Sequence, residues 1–233
     1  MSDHHHHAEE HNSTPDLLRD VVIGLSDGLT VPFALAAGLS GALAQSNIVV
    51  TAGLAEIAAG SIAMALGGYL AARSEADHYH NELRREHQEV LVVPDREAEE
   101  IYDLMADYGL TRDETRPMVE GLMRNNESWV AFMMKFELGL EKPNPSRAWK
   151  SAFNIGLAYA AGGMIPLLPY WFFVSVDRAL QVSCLVTLVA LLVLGTAKAK
   201  LTGQPPLKSG LQTMMIGGLA AGAAYGIALL VSH

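Results

Sequence analysis

Five stretches of this chain stay apolar for about the ~20 residues that a helix needs to cross the hydrocarbon core of a bilayer. They are Val21–Leu43, Ile48–Ala72, Ala152–Val174, Ala179–Ala197 and Leu211–Val231. The first holds a single charged residue, Asp27, and the second only Glu56; the other three contain no Asp, Glu, Lys or Arg. Hydrocarbon offers backbone groups no partners outside the segment, so such stretches cross as helices. Composition agrees: 50% of the 233 residues are hydrophobic and mean hydropathy is +0.21, too apolar for an ordinary soluble domain.

About eighty residues, Arg73–Lys150, separate the second and third spans and carry most of the charge. The fold class expected is therefore an all-α membrane protein, five transmembrane helices with a helical domain inserted after the second. The expected domains are a disordered His-rich tail (1–16), transmembrane helices one and two (17–72), the insert with an extension of helix two (73–147), and transmembrane helices three to five (148–233). "SEADHYHNELRREHQEVLVV" prolongs the second span as a helix until Pro94 stops it. "DREAEEIYDLMADYG" opens with acids and ends on Gly109, as a capped helix does. "TRDETRPMVEGLMRNN" and "ESWVAFMMKFELGL" read as two further helices, and "EKPNPSRAW" as a Pro-broken linker.

The turn "AQSN" lacks Lys and Arg, whereas "KAKLTGQPPLK", read as the loop after span four, has three lysines. Arg19 and Arg73 flank the first two spans on that same side, with Arg178 an exception in the opposite loop. The positive-inside rule then puts the N-terminus and the insert in the cytosol and the C-terminus on the far side. The first 20 residues are polar and His-rich, unlike a cleavable leader. His4–His7 fit a tag fragment and a native tail equally. One cysteine, Cys184, precludes a disulfide framework within the chain. A net charge of −9 argues against nucleic acid and suits cationic ligands.

Two acids inside the membrane need a reason, since a charge at helix centre costs roughly 2.5–3.5 kcal/mol on insertion scales. Asp27 precedes Gly28, and Pro32 frees helix carbonyls nearby. It is read as a cation ligand, the other reading being a carboxylate that reaches the cytosolic headgroups. Glu56 and Met64 share one side of their helix. A carboxylate with a thioether suits a borderline divalent transition metal, while Met64 alone fits plain packing as well. The Gly- and Ala-rich "AEIAAGSIAMALGGYLAA" suits close approach of helices or of subunits, and a two-subunit path would double each ligand. In the insert, Glu86 and Glu89, Glu97 and Glu100, and Met133 with Glu137 each recur at helical spacing. Any single pair fits a solvated surface; three clusters in one small domain point to metal. Glu75 and His78 form one E-x-x-H, where a ferritin-like di-iron site wants two. Nucleophile-elbow, phosphate-loop and C-x-x-C motifs are absent from the sequence.

"SDGLTVPFALAAGLSGA", "AEIAAGSIAMALGGYLAARSEADHY" and "FMMKFELGLEKP" closely resemble the vacuolar iron transporter family in its plant-like form, from about Leu17 to the C-terminus. The resemblance implies a homodimer of the vacuolar membrane with a luminal C-terminus and a cytosolic metal-binding domain between helices two and three. It implies a proton-coupled antiporter rather than an enzyme. Fe2+ would be its substrate, with Mn2+, Zn2+ and Co2+ as further cargo and no prosthetic group. It aligns Asp27, Glu56 and Met64 with the transport path, and Glu86, Glu89, Glu97, Glu100, Met133, Met134 and Glu137 with the metal ligands of the cytosolic domain. The competing expectations are a membrane-anchored ferritin-like oxidase and a metal sensor that signals without transport.

Overall fold

The computed structural model describes residues 14–42 and 45–232. His4–His7 lie outside the described residues. Every regular element described is helical: α1 (Thr14–Ala42), α2 (Ser46–Val92), α3 (Pro94–Asp107), α4 (Arg112–Met123), α5 (Asn126–Phe132), a π-helical turn (Met133–Glu137), α6 (Arg147–Phe172), α7 (Val176–Thr202) and α8 (Pro206–Ser232). Five of them, α1, α2, α6, α7 and α8, are long and apolar enough to cross a membrane. The chain divides into two compact units, Met1–Tyr69 with Ala148–His233, and Leu70–Arg147.

In the first unit glycines set how near α6 comes to α1 and α2. Along α1 and α6 the contacts keep a constant offset. The Ser151 hydroxyl donates to Asp20, 131 positions away; Gly24 faces Ile155, Gly28 faces Tyr159, and the Ser40 and Tyr170 hydroxyls meet at 2.8 Å, 130 positions apart. The two helices are thus parallel and in register for most of their length. A Cβ on Gly28 would stand closer than 3.0 Å to the Tyr159 carbonyl, and one on Gly24 equally close to that of Ile155. Residues recurring every fourth position form one ridge of a helix, which is the geometry of small-residue packing in membranes.

On its other side α6 runs antiparallel to α2: Leu167 fills the space at Gly53, the Tyr159 ring that at Gly60, and Ile155 that at Gly68, while Gly163 admits Ile57. Val49, Val50, Ile57, Leu167, Tyr170 and Ala179 make the main apolar core of this unit. A second cluster joins α1 to α7 and α8 through Phe33, Ala37 and Ala221. Large apolar side chains such as Leu157, Leu185, Leu219 and Leu230 stay exposed, as a lipid-facing surface requires.

The α2 helix is 47 residues long, about 70 Å at the α-helical rise. Its apolar first half, from Ile48 to Ala72, is the spanning part. The rest is charged and carries ion pairs one turn apart, Arg73 with Asp77 at 3.4 Å and Arg85 with Glu89 at 3.4 Å. In the second unit this half of α2 is followed by short helices with clear boundaries. Pro94 stands in the first turn of α3. Thr111 and Glu114 form a capping box on α4, Asn125 caps α5, and Gly109 takes φ 83° after α3. The Arg112 guanidinium grips Glu99 with two bonds of 2.5 and 2.6 Å and lies 4.1 Å from the centre of the Tyr102 ring. Val90, Ile101, Val119, Trp129, Met133 and Met134 fill the core.

Three local expectations change. The lysines of "KAKLTGQPPLK" are on α7 and the start of α8, because α7 continues to Thr202 before Gly203 turns it at φ 69°. Arg178 belongs to the first turn of α7 rather than to a loop. "ESWVAFMMKFELGL" is not one α-helix: α5 widens into the π turn, with the Leu138 N–H bonded to the Met133 carbonyl five residues back.

Gly28→Ala should lower stability by about 1–3 kcal/mol, because the backbone it would strike cannot swing aside as a side chain can. Gly226→Ala, where a Cβ meets nothing within 4 Å, should be close to neutral. Thermal unfolding in detergent, followed by size exclusion, separates the two.

Candidate metal centre

Within the second unit, α2, α3 and the π turn each bring one glutamate to a common point. Glu86, Glu97 and Glu137 offer carboxylate oxygens that all lie within 4.8 Å of one another. Glu86 and Glu97 are only 1% exposed, whereas Glu137 is exposed at the edge. Both oxygens of Glu97, and Oε2 of Glu86, are buried without a hydrogen-bond partner among the described residues. Three carboxylates facing one another, with three buried oxygens of Glu86 and Glu97 lacking a hydrogen-bond partner among the described residues, leave a place for positive charge.

Burial, and then the neighbouring carboxylates, push the carboxyls of Glu86, Glu97 and Glu137 up from the ordinary 4.5 to about 7. Glu89 and Glu100 act on this trio electrostatically and complete a group of five. Arg85 lies 3.4 Å from Glu89 and 3.7 Å from Glu86. Arg96 lies 3.1 Å from Glu100 and 4.0 Å from Glu97. Thus all five glutamates singled out by spacing come together. Met133 and Met134 are 0% and 2% exposed and sit in the apolar core of the same unit. Glu75 and His78 are exposed and separate from the trio, and His78 faces Glu82 at 3.8 Å. The donor set is therefore oxygen-rich and fits a divalent cation.

The first unit holds the intramembrane acids. Asp27, Glu56 and Met64 are all half-buried. The Tyr159 hydroxyl of α6 donates a 2.5 Å hydrogen bond to Oε1 of Glu56. Asp27 stands on α1 directly before Gly28, whose neighbour on α6 is the Tyr159 backbone. Oε2 of Glu56 is buried with no hydrogen-bond partner among the described residues. Sequence reasoning missed Tyr159, which reads as one more apolar residue in "GLAYAAGG". It also missed Asp20, which is 1% exposed and accepts a hydrogen bond from Ser151 at 3.2 Å.

The raised carboxyl values fix a sign. A glutamate with a folded value near 7 and an unfolded value near 4.5 holds its proton more tightly when folded. Its contribution is fully present below 4.5 and is lost as pH rises through 7. Metal-free protein in chelator should therefore unfold at lower temperature as pH goes from 5 to 8, with the fluorescence of the insert's Trp129 isolated by replacing Trp149 and Trp171 with Phe. Glu97→Gln should flatten that trend, and divalent metal should offset it at pH 8.

Residues 18–229 match the model of the VIT family. Vacuolar iron transporter 1 of Oryza sativa subsp. japonica is 58% identical over 228 residues, covering 98% of this chain and 90% of that protein. Vacuolar iron transporter 1 of Arabidopsis thaliana is 53% identical over 228 residues, covering 98% and 91%. Protein CCC1 of Saccharomyces cerevisiae is 40% identical over 219 residues, covering 91% of this chain and 68% of that protein. With a family match over nearly its whole length and such identities, the chain belongs to the VIT family.

Proposed function

We propose that this protein moves ferrous iron from the cytosol into the vacuole in exchange for protons, with Mn2+ as further cargo. The observation that carries this reading is a pair of half-buried carboxylates on two different spanning helices, Asp27 of α1 and Glu56 of α2, with Oε2 of Glu56 buried and without a hydrogen-bond partner among the described residues. Relatives over almost the full chain are named vacuolar iron transporters, which supports iron as cargo and the vacuole as destination. They are named transporters rather than enzymes. A ferritin-like oxidase is disfavoured by the all-glutamate trio, to which no histidine contributes among the described residues.

In this reading the insert, residues 73–147, is cytosolic and gathers metal. Glu86, Glu97 and Glu137 receive the ion, Glu89 and Glu100 exchange their arginine partners for it, and Met133 and Met134 add soft donors from the core beside them. Asp27, Glu56 and Met64 then carry it through the membrane, and pairing in a homodimer doubles the set. A carboxylate binds metal only when deprotonated, so metal and proton compete for the same oxygens. An acidic lumen favours the proton and releases the metal, so the gradient drives the cycle without ATP.

Purified protein in sealed liposomes with an acidic interior should take up Fe2+, and dissipating the gradient should stop it. Asp27→Ala should lower the rate at least ~10-fold, the loss of a path ligand being worth more than ~1.4 kcal/mol. Glu56→Gln should abolish the dependence on the gradient. Absence of uptake by the unaltered protein, with Fe2+ still bound, would overturn the transport reading. Calorimetry of the full-length protein gives a separate check on the insert: Glu97→Gln with Glu100→Gln should weaken Fe2+ binding by roughly 10–100-fold, and unchanged binding would return these residues to an ordinary charged surface.

A further inference from the structure

Glu56 is the only acid in the apolar stretch of α2, and its two oxygens stand in different states. Oε1 accepts the Tyr159 hydroxyl, and Oε2 is buried without a hydrogen-bond partner among the described residues. The tyrosine has little freedom to leave. It is 2% exposed, its backbone lies against Gly28, and its ring occupies the space that a side chain at Gly60 would need. Both neighbours are glycines, and each keeps the phenol where it is.

From this geometry we propose that Tyr159 is a selectivity residue for the cation path, a reading that rests on the transport function proposed above. By holding Oε1 in a hydrogen bond it occupies one of that oxygen's two lone-pair sites and weakens it as a ligand, so the acid ligates a passing cation chiefly through Oε2. Calcium fills a shell of roughly 6–8 oxygens and makes frequent use of both oxygens of a carboxylate. First-row transition ions bind well with fewer donors and accept softer ones such as the Met64 thioether. A site that weakens one carboxylate oxygen therefore discriminates against the large hard cation at small cost to the transition metal. Tyr159 acts through Glu56 and is a positioning residue.

The test is Tyr159→Phe in the liposome assay, with Ca2+ added as competitor on the side from which Fe2+ enters. The phenyl ring still fills the notch at Gly60, and only the hydroxyl is lost. Relative to the Fe2+ uptake that the variant itself shows, the Ca2+ concentration giving half-inhibition should fall roughly 10-fold. An unchanged half-inhibition value would overturn the proposal, since a merely structural tyrosine would alter total uptake and leave the ratio alone. A second measurement needs no change at Tyr159. The infrared difference spectrum on adding Fe2+, less that of Glu56→Gln, isolates the Glu56 carboxylate. Widely split carboxylate stretches, the mark of one-oxygen ligation, are expected; the narrow splitting of two-oxygen ligation would overturn the proposal even if Tyr159→Phe proved inactive. Lack of Fe2+ uptake by the unaltered protein would defeat the transport reading and this one together, and so is distinguishable from a failure confined to Tyr159.

Discussion

The five-helix unit depends on the approach of α1 to α6 with nothing but glycine between their backbones. Hydrocarbon supplies no hydrophobic force to press two apolar helices together, so shape and dispersion must do it. Gly24 and Gly28 let the two backbones come near, and the hydroxyl contacts Ser151 with Asp20 and Ser40 with Tyr170 tie the pair at either end. The Tyr159 phenol then has a fixed origin from which to reach α2. A larger residue at position 28 would strike the Tyr159 backbone and displace the phenol from the Glu56 carboxylate. The hydrogen bond between α6 and α2 thus rests on the smallest side chain in the seam between α1 and α6.

The insert is built by the opposite physics. Here water is the solvent, and an ordinary apolar core of Ile101, Val119, Trp129 and the two buried methionines fixes the helices. That core supports two glutamates that are as buried as its own leucine-sized neighbours. Burying them raises the cost of their charge, which is why their protons leave only near neutral pH. The domain spends stability to keep three carboxylates facing one another, as binding sites commonly do.

Much of this was legible in the chain itself, and the reasons differ from place to place. Bilayer thickness sets a length, so the spans around Asp27 and Glu56 stand out from composition alone. Their ends do not, because α7 and α8 keep their helical bonds past the hydrocarbon and carry Lys200 and Lys208 with them. Pro94, Thr111 and Gly109 announce helix limits through local chemistry, and each falls where that chemistry places it. Spacing brought Glu86, Glu89, Glu97, Glu100 and Glu137 to notice as separate pairs; only the tertiary fold joins them. Tyr159 and Asp20 were invisible for the same reason: their partners are more than a hundred residues away. The π turn has no signal in the sequence, and it leaves Met133 and Met134 buried in the core of the insert.

Arg85 and Arg96 give the glutamate group a built-in counter-charge. In the function proposed above, a cation arriving there would have to out-compete two tethered guanidinium groups, which cannot diffuse away. A monovalent ion offers no more charge than either arginine and would gain little by replacing it. A divalent ion brings twice the charge to the same oxygens, so in that reading the arginines would set a threshold against sodium and potassium.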